Sequence, residues 1–194
     1  MSRPIPSVTL HTRVRDEAIE PNPFRWAPIR ADELMGSGRV AVFVFPAAFS
    51  PICSDSHLPR VEELHDRFVD AGCTAVFGIA VNDAFTMHRW GEHLGIEKVR
   101  LVPDGNGDLA RRLGILVSRR HLGYGFRAWR SAFVADDGKI VAWFTEPGIE
   151  DDAGTDEDPY GETKPERVLE WCEANPLVAA GDGNAARTAK REAA

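Results

Sequence analysis

The sequence lacks any apolar stretch long enough to cross a membrane. Its longest uninterrupted apolar run covers residues 40–49, far short of the ~20 residues that a transmembrane helix needs. The N-terminal residues MSRPIPSVTLHTR contain no apolar stretch of the signal-peptide type. We therefore expect a soluble protein of the cytoplasm that does not act at a membrane.

Cysteine is scarce, because the chain of 194 residues contains only Cys53, Cys73 and Cys172. An odd number of widely spaced cysteines excludes the disulfide framework of small secreted domains. Each cysteine is therefore either a small buried side chain or a reactive thiol. His88 and His93 do not share a helix face, so the sequence predicts no bound metal.

Basic residues are not in excess, since the chain has 23 lysines and arginines against 30 acidic residues and a net charge of −7. Six of the acidic residues fall within residues 150–158, which contain no basic residue. Residues 111–130 hold six arginines, but no nucleic-acid-binding motif accompanies them. We expect no nucleic-acid partner.

Buried strands that alternate with amphipathic helices predict an α/β fold. Because this alternation leads into a hairpin around Asp136–Gly138, we expect a three-layer sandwich in which helices cover both faces of a mixed sheet of about five strands. We predict a single domain over 1–176, with an irregular arm at 1–39, and a disordered tail at 177–194. The predicted strands are 40–45, 75–81, 99–102, 131–135 and 139–145, and the predicted helices are 58–71, 83–93, a short helix before Gly114, and one from Thr163 to near Asn175.

Two helices carry further signals. Pro59 predicts a kink near the start of the first helix. Thr163 and Glu166 have the spacing of a capping box, which places the start of the last helix at Thr163. The predicted apolar face of the first helix consists of Val61, Leu64, Phe68 and Val69.

The segment from Pro46 to Cys53 carries the clearest chemical signal. It follows the first buried strand, at the carboxyl edge where open α/β sheets bind their ligands. Cys53 then begins a helix, whose N–H groups and partial positive charge stabilise a thiolate over a thiol. Together with Ser50 and the prolines on either side of it, this position favours a reactive Cys53 over a small buried side chain.

Several segments resemble one known family. Pro46, Ser50 and Cys53 match the active-site motif Pro-x-x-x-Thr/Ser-x-x-Cys of peroxiredoxins. The wider pattern is similar to the thioredoxin-fold subfamily called peroxiredoxin five or type II, from Asn22 to Pro176. The matching segments are FPAAFSPICSDSHLPR (45–60), VNDAF (81–85), PDGNG (103–107), GFRAWR (125–130) and DPYGETKPERVL (158–169).

The resemblance implies a role for each residue of the site. Cys53 matches the peroxidatic cysteine, whose thiolate attacks a peroxide and becomes a sulfenic acid. Ser50 matches the hydroxyl that binds the peroxide, and Pro46 matches the proline that shields the thiolate from water. Arg130 matches the arginine that faces the sulfur and the peroxide oxygens. We expect His57, one helical turn after Cys53, to have a packing or supporting role.

The function implied by the resemblance is that of a thiol-dependent peroxidase without a bound cofactor. Its substrates would be hydrogen peroxide and organic hydroperoxides, and an external thiol such as glutathione, glutaredoxin or thioredoxin would regenerate it. A homodimer that forms through the loop around Phe49 is also expected. Two alternatives stay open: a redox sensor or chaperone-like binding protein without efficient turnover, and a structural protein that binds zinc through Cys53, His57 and Cys73.

The positions of the cysteines predict a one-cysteine mechanism. The predicted helix between Cys53 and Cys73 is ~20 Å long, whereas a disulfide needs Cα atoms within ~7 Å. Plant type II members place a second, resolving cysteine where this chain has Gly78. Cys172 therefore remains the only internal candidate for a resolving residue, although the apolar face of the last helix is expected to bury it.

Overall fold

A computed structural model describes residues 2–149 and 157–177 of the chain. The strands are β1 (Arg3–Pro4), β2 (Thr9–Arg15), β3 (Phe24–Arg30), β4 (Arg39–Phe45), β5 (Cys73–Ala80), β6 (Arg100–Pro103), β7 (Leu116–Ser118), β8 (Phe126–Ala128), β9 (Ser131–Asp136) and β10 (Lys139–Thr145). The α-helices are α1 (Ala31–Leu34), α2 (Leu58–Glu63), α3 (His65–Asp70), α4 (Ala84–Leu94), α5 (Asp108–Leu113) and α6 (Pro165–Ala174). A π-helical segment (Cys53–His57) precedes α2, and a 3₁₀ turn (Arg120–Leu122) lies between β7 and β8.

The central sheet has the strand order β1-β10-β9-β4-β5-β6. Strand β4 runs parallel to β5 and antiparallel to β9, and all seven of its residues are buried. This confirms the predicted mixed sheet and its buried first strand. The sheet has six strands rather than about five, because the two residues of β1 pair with β10 at one edge.

The two faces of β4 contribute to separate apolar layers, because successive side chains of a strand point to opposite sides. Val40, Val42 and Val44 pack with apolar residues of α1, α5 and β2. Ala41, Phe43 and Phe45 pack with apolar residues of α2, α3, α4 and α6. The predicted three-layer arrangement is therefore confirmed.

The prediction of an irregular arm over residues 1–39 is wrong. Strands β2 and β3 form an antiparallel hairpin, and α1 follows directly. The hairpin gives a weak sequence signal because its strands, TLHTRVR and FRWAPIR, mix charged residues with apolar ones. Leu10 is buried, whereas Trp26 is 55% exposed, so backbone pairing rather than a continuous apolar face defines these strands.

Cys53 lies in the first turns of a helix as predicted, but this helix is continuous with the one predicted to start at residue 58, and it contains a π turn. The backbone N–H of Leu58 donates to the carbonyl of Cys53, five residues back. This wide turn leaves room for the ring of Pro59, which would clash with the preceding turn of a regular helix. The break between α2 and α3 falls at Leu64, not at the proline.

Two details of the predicted helices are wrong. Val69 is 47% exposed and does not belong to the buried face of α3. Thr163 does not cap the last helix, because α6 begins at Pro165 with Lys164 at its N-cap. The Thr163 hydroxyl instead donates to the buried carboxylate of Glu146 at 2.8 Å, which anchors the chain just before α6.

The remaining elements of the fold have three different outcomes. The hairpin of β9 and β10 and the helices α4 and α5 lie where the sequence predicts them. The small β7–β8 ribbon was not predicted, because each strand has only three residues. Residues 150–156 of the acidic segment and 178–194 of the predicted tail lie outside the described residues.

Candidate active site

A cavity of about 270 Å³ opens beside the carboxyl end of β4. Three predicted site residues, Pro46, Ser50 and Arg130, lie in its wall. The remaining wall is mostly apolar and also carries two further arginines. It includes Pro51, Ile52, Val117, Leu122, Tyr124, Ala128, Trp129 and Pro159, together with Arg119, Arg127 and Asp158.

Cys53 contacts Arg130, one of the residues that line this cavity. The side chain is fully buried in the first turns of its helix, and Nη1 of Arg130 donates to its sulfur at 3.4 Å. Arg130 is itself only 1% exposed, because it directly precedes the buried strand β9. The structure therefore brings together two residues that are far apart in the sequence.

Three groups hold the guanidinium of Arg130. Nη2 donates to both carboxylate oxygens of Asp158 at 2.6 Å, and Nη1 also contacts Nδ1 of His57 at 3.1 Å. Burial opposes the charge of Arg130, but Cys53 and Asp158 outweigh it and raise the pKa of the guanidinium above its ordinary value. The planar fork of arginine makes these contacts together, which a single ammonium group cannot do.

His57 is a neutral acceptor in this arrangement. Burial and the neighbouring charge of Arg130 hold the pKa of His57 well below 6.5. Nδ1 therefore carries no proton and accepts from Arg130, which assigns the ring proton to Nε2. The rings of Phe45 and Tyr160 each lie 4.7 Å from the imidazole, between centroids, and fix its plane.

The loop before Cys53 shapes the opposite side of the cavity. The Ser50 hydroxyl donates to the carbonyl of Ala47 at 2.9 Å, so it must release this bond before it can donate to a ligand. Phe49 has a φ of +63° and is 50% exposed. Such a conformation is uncommon for a residue with a side chain, and strain of this kind clusters at functional sites.

Cys73 and Cys172 lie away from the cavity. Cys73 pairs with Arg39 at the start of β4, whereas Cys53 follows the other end of that strand. Seven residues of β4 span about 20 Å at ~3.3 Å each. Cys172 borders a separate surface hollow together with Gly72, the residue before Cys73. The structure thus does not gather Cys53, His57 and Cys73 as the zinc hypothesis requires.

Asp158 is the residue of this site that the sequence reasoning missed. It begins the segment DPYGETKPERVL, which contributed to the family resemblance. No spacing rule links it to Arg130, because the contact joins residues on separate loops. Within the described ranges, no group of three or more histidine, cysteine or acidic side chains could hold a metal ion.

Comparison with known proteins agrees with this geometry. Residues 27–159 match the family model described as Redoxin. The chain is 45% identical over 167 residues to a peroxiredoxin of Sinorhizobium fredii, a match that covers 86% of this chain and 88% of that protein. A peroxiredoxin of Rhizobium etli is 42% identical over 179 residues, with 92% and 99% coverage.

The chain belongs to the peroxiredoxin family.

Solved structures place this peroxiredoxin on the thioredoxin fold that the resemblance implied. A Plasmodium falciparum antioxidant protein, described as a 1-Cys peroxiredoxin, superposes with a TM-score of 0.81 at 25% identity and covers 89% of this chain and 99% of that one. Reduced Prx3 of Vibrio vulnificus in complex with hydrogen peroxide superposes with a TM-score of 0.74 at 25% identity, with 88% and 97% coverage. The peroxiredoxin is a thiol-dependent peroxidase of the type II-like group.

Proposed function

We propose that this peroxiredoxin reduces hydrogen peroxide and organic hydroperoxides at Cys53 and is regenerated by an external thiol. The observation that carries the proposal is the contact of 3.4 Å between Arg130 Nη1 and the Cys53 sulfur, beside the cavity. The apolar side chains of Val117, Leu122 and Trp129 in the cavity wall suit an organic hydroperoxide. The related Vibrio vulnificus protein was solved with hydrogen peroxide bound.

The first chemical step needs a sulfur nucleophile and a stabilised leaving oxygen. The Cys53 thiolate attacks one peroxide oxygen, the O–O bond breaks, and the leaving oxygen takes a proton to become water or an alcohol. Cys53 is left as a sulfenic acid. Charge develops on the leaving oxygen, and the fixed guanidinium of Arg130 and the hydroxyl of Ser50 can stabilise it. Pro46 fills the cavity wall beside them and limits the access of water to the Cys53 thiolate.

Asp158 and His57 act through Arg130 in this proposal. The ion pair in which Nη2 donates to both oxygens of Asp158 holds that end of the guanidinium in place. Neutral His57 accepts from Nη1, which turns that nitrogen toward Cys53. Both side chains are therefore positioning residues, because they contact Arg130 and not the reacting sulfur.

The second step returns Cys53 to a thiol by an external donor. We infer a one-cysteine mechanism because Cys73 and Cys172 lie near the opposite end of β4 from Cys53. The related Plasmodium falciparum protein is described as a 1-Cys peroxiredoxin, which supports this inference. Glutathione, glutaredoxin and thioredoxin are the proposed donors. Three free cysteines also suit a reducing compartment such as the cytoplasm.

We also propose a homodimer that forms around the strained loop at Phe49. The exposed ring of Phe49 lies next to His93 on α4, with centroids 5.8 Å apart. An exposed aromatic at an active-site rim is typical of an interface. Sedimentation at micromolar concentration should give a dimer that Phe49→Asp weakens, whereas a wild-type monomer would contradict the proposal.

The test of the catalytic proposal is peroxide consumption with each thiol donor in turn. Wild type and Cys73→Ser should consume hydrogen peroxide and tert-butyl hydroperoxide, and Cys53→Ser should not. At least one of glutathione with glutaredoxin, or thioredoxin with its reductase, should sustain turnover. If Cys53 becomes oxidised but no thiol restores it, the redox-sensor alternative replaces this proposal.

A further inference from the structure

Two arginines in the cavity wall have no part in the chemistry assigned to Arg130. Arg119 directly follows β7 and Arg127 lies on β8, and both side chains line the cavity beside Arg130. Arg127 pairs across the ribbon with Val117, and Arg119 lies two residues after Val117. Because alternate residues of a strand share a face, one face of the ribbon presents both arginines to the cavity.

The guanidinium of Arg119 is held in place by neutral groups. Arg119 is only 9% exposed, and its guanidinium carbon lies 5.3 Å from the ring centroid of Trp129. Its Nη2 donates to the backbone carbonyl of Glu157 at 2.9 Å. The ring of Trp129 is fixed in turn, because its Nε1 donates to the backbone carbonyl of Glu146 at 2.8 Å. These contacts orient the positive charge of Arg119 without neutralising it.

Arg127 has hydrogen-bond donors that its surroundings do not satisfy. Its Nη1 donates to the backbone carbonyls of Phe126 at 2.9 Å and Val81 at 3.5 Å, which are uncharged acceptors. Its Nε is buried and has no hydrogen-bond partner among the described residues. Buried donors are rarely left in this state, because an unpaired one is costly. Arg127 is therefore suited to bind an acceptor that comes from outside the chain.

The rest of the cavity suits an apolar body with a single negative charge. Pro51, Ile52 and Leu122 contribute apolar surface to its wall. Asp158 is the one acidic side chain among the described residues of that wall, and both of its oxygens already accept from Arg130. Apolar pockets of this kind orient their ligands through a few fixed polar groups. A guanidinium favours a carboxylate in that role, since its planar fork matches the two oxygens.

We propose that Arg119 and Arg127 form a carboxylate-binding subsite, which selects organic hydroperoxides that carry a carboxylate. This inference rests on the proposed peroxidase function at Cys53. The hydroperoxide group reacts at Cys53, the apolar body lies against the cavity wall, and the carboxylate binds the two arginines. The chemical step is unchanged: one peroxide oxygen passes to the Cys53 sulfur, the O–O bond breaks, and the leaving oxygen takes a proton to give the hydroxy acid.

The overall charge of the chain makes this selectivity diagnostic. A net charge of −7 opposes the approach of an anion. A preference for an anionic substrate over a neutral one of the same shape must therefore come from local positive charge at the cavity. Arg119 and Arg127 supply that charge in the proposed subsite.

The test compares cumene hydroperoxide bearing a para carboxylate with the methyl ester of the same compound. The full chain is oxidised in a single turnover without a thiol donor, and the rate constant of Cys53 oxidation is measured for each compound. We expect the acid to react at least about tenfold faster than the ester in wild type. This ratio should fall at least about threefold in Arg119→Gln and in Arg127→Gln. The matched control is Arg111→Gln, which changes an exposed arginine paired with Asp108 and should keep the wild-type ratio.

Each ratio compares two substrates on one protein, so a change in the reactivity of Cys53 that affects both cancels. Equal rates for acid and ester in wild type would overturn the inference, and this measurement needs no variant to fold. A preference that survives in both arginine variants would also overturn it. Hydrogen peroxide separates the two proposals. If it oxidises Cys53 while acid and ester react equally, only the subsite is wrong, whereas a Cys53 that no peroxide oxidises would contradict the proposed function as well.

The thiol donor is a second source of a carboxylate, and a separate arm distinguishes it. Protein with Cys53 oxidised to the sulfenic acid is reduced with mercaptopropionate or with its methyl ester, and the recovery of the Cys53 thiol is timed. We expect the arginine variants to change the acid-to-ester ratio of the oxidation step. If the ratio changes only in the reduction step, the two arginines bind the thiol donor and the assignment to the hydroperoxide is wrong.

Discussion

Replacing Arg130 with lysine keeps the positive charge but removes the geometry that the proposed mechanism needs. The guanidinium uses Nη1 for Cys53 and His57 and Nη2 for both oxygens of Asp158. A lysine has one nitrogen, and the carboxylate of Asp158 is its strongest available partner. We therefore expect the ammonium to pair with Asp158 and to leave the Cys53 sulfur without a charged donor.

The magnitude follows from the loss of one fixed donor at the reacting atoms. Removal of a single donor of this kind lowers turnover by about 10²–10³-fold, or about 2.7–4 kcal/mol of transition-state stabilisation. The assay is the second-order rate of Cys53 oxidation by hydrogen peroxide in a single turnover, measured by rapid quenching with an alkylating agent. This readout excludes the thiol donor and reports the chemical step alone.

A matched control separates the loss of the forked contact at Arg130 from the general effect of replacing an arginine with lysine. Arg167→Lys changes an exposed arginine that pairs with Glu162, and we expect its oxidation rate to stay within about twofold of wild type. Circular dichroism should show that both variants fold. If Cys53 of Arg130→Lys were oxidised within about threefold of the wild-type rate, the forked contact of Arg130 would not be needed for the reaction.

Three further predictions follow from the same site. Asp158→Asn should lower kcat/KM about tenfold and the free energy of unfolding by about 1–3 kcal/mol, because it leaves the buried charge of Arg130 without its carboxylate; unchanged rates would show that Arg130 needs no such partner. Ser50→Ala should lower the oxidation rate about 10²–10³-fold while Ser50→Thr keeps it, and equal rates for both would remove the hydroxyl from the mechanism. Below pH 6.5 His57 becomes protonated in the unfolded chain but not in the folded chain, so the wild type should lose up to about 1.4 kcal/mol of stability per pH unit from this group as the pH falls. Denaturation between pH 6.5 and 5 should show a smaller slope of unfolding free energy against pH in His57→Gln than in wild type. Identical slopes would contradict the buried neutral imidazole.

Strong local patterns explain the parts of the fold that could be predicted. The run VAVFVF is apolar on both faces, and only a central strand buries both faces at once. The turn at Asp137-Gly138 has positive φ at both residues, which is the conformation that such a sequence favours between two strands. The site residues Pro46, Ser50 and Cys53 lie in one segment, so their proximity needed no tertiary information.

The missed features depend on contacts between distant residues. The β2–β3 hairpin is held by backbone pairing between strands of mixed polarity, which leaves little periodicity. Thr163 has the local spacing of a cap, but the buried carboxylate of Glu146 binds its hydroxyl instead. Asp158 reaches Arg130 only because two loops meet at the cavity. A short-range pattern contains no information about either contact.

In the proposed mechanism, peroxide reacts at Cys53 and no other cysteine of the chain resolves it. The most direct measurement treats the reduced protein with one equivalent of hydrogen peroxide, traps sulfenic acid with dimedone and maps all three cysteines by mass spectrometry. We expect a dimedone adduct on Cys53, with Cys73 and Cys172 recovered as free thiols. A Cys53 that stays reduced while peroxide is consumed, or a bridge from Cys53 to Cys73 or Cys172 within one chain, would contradict it.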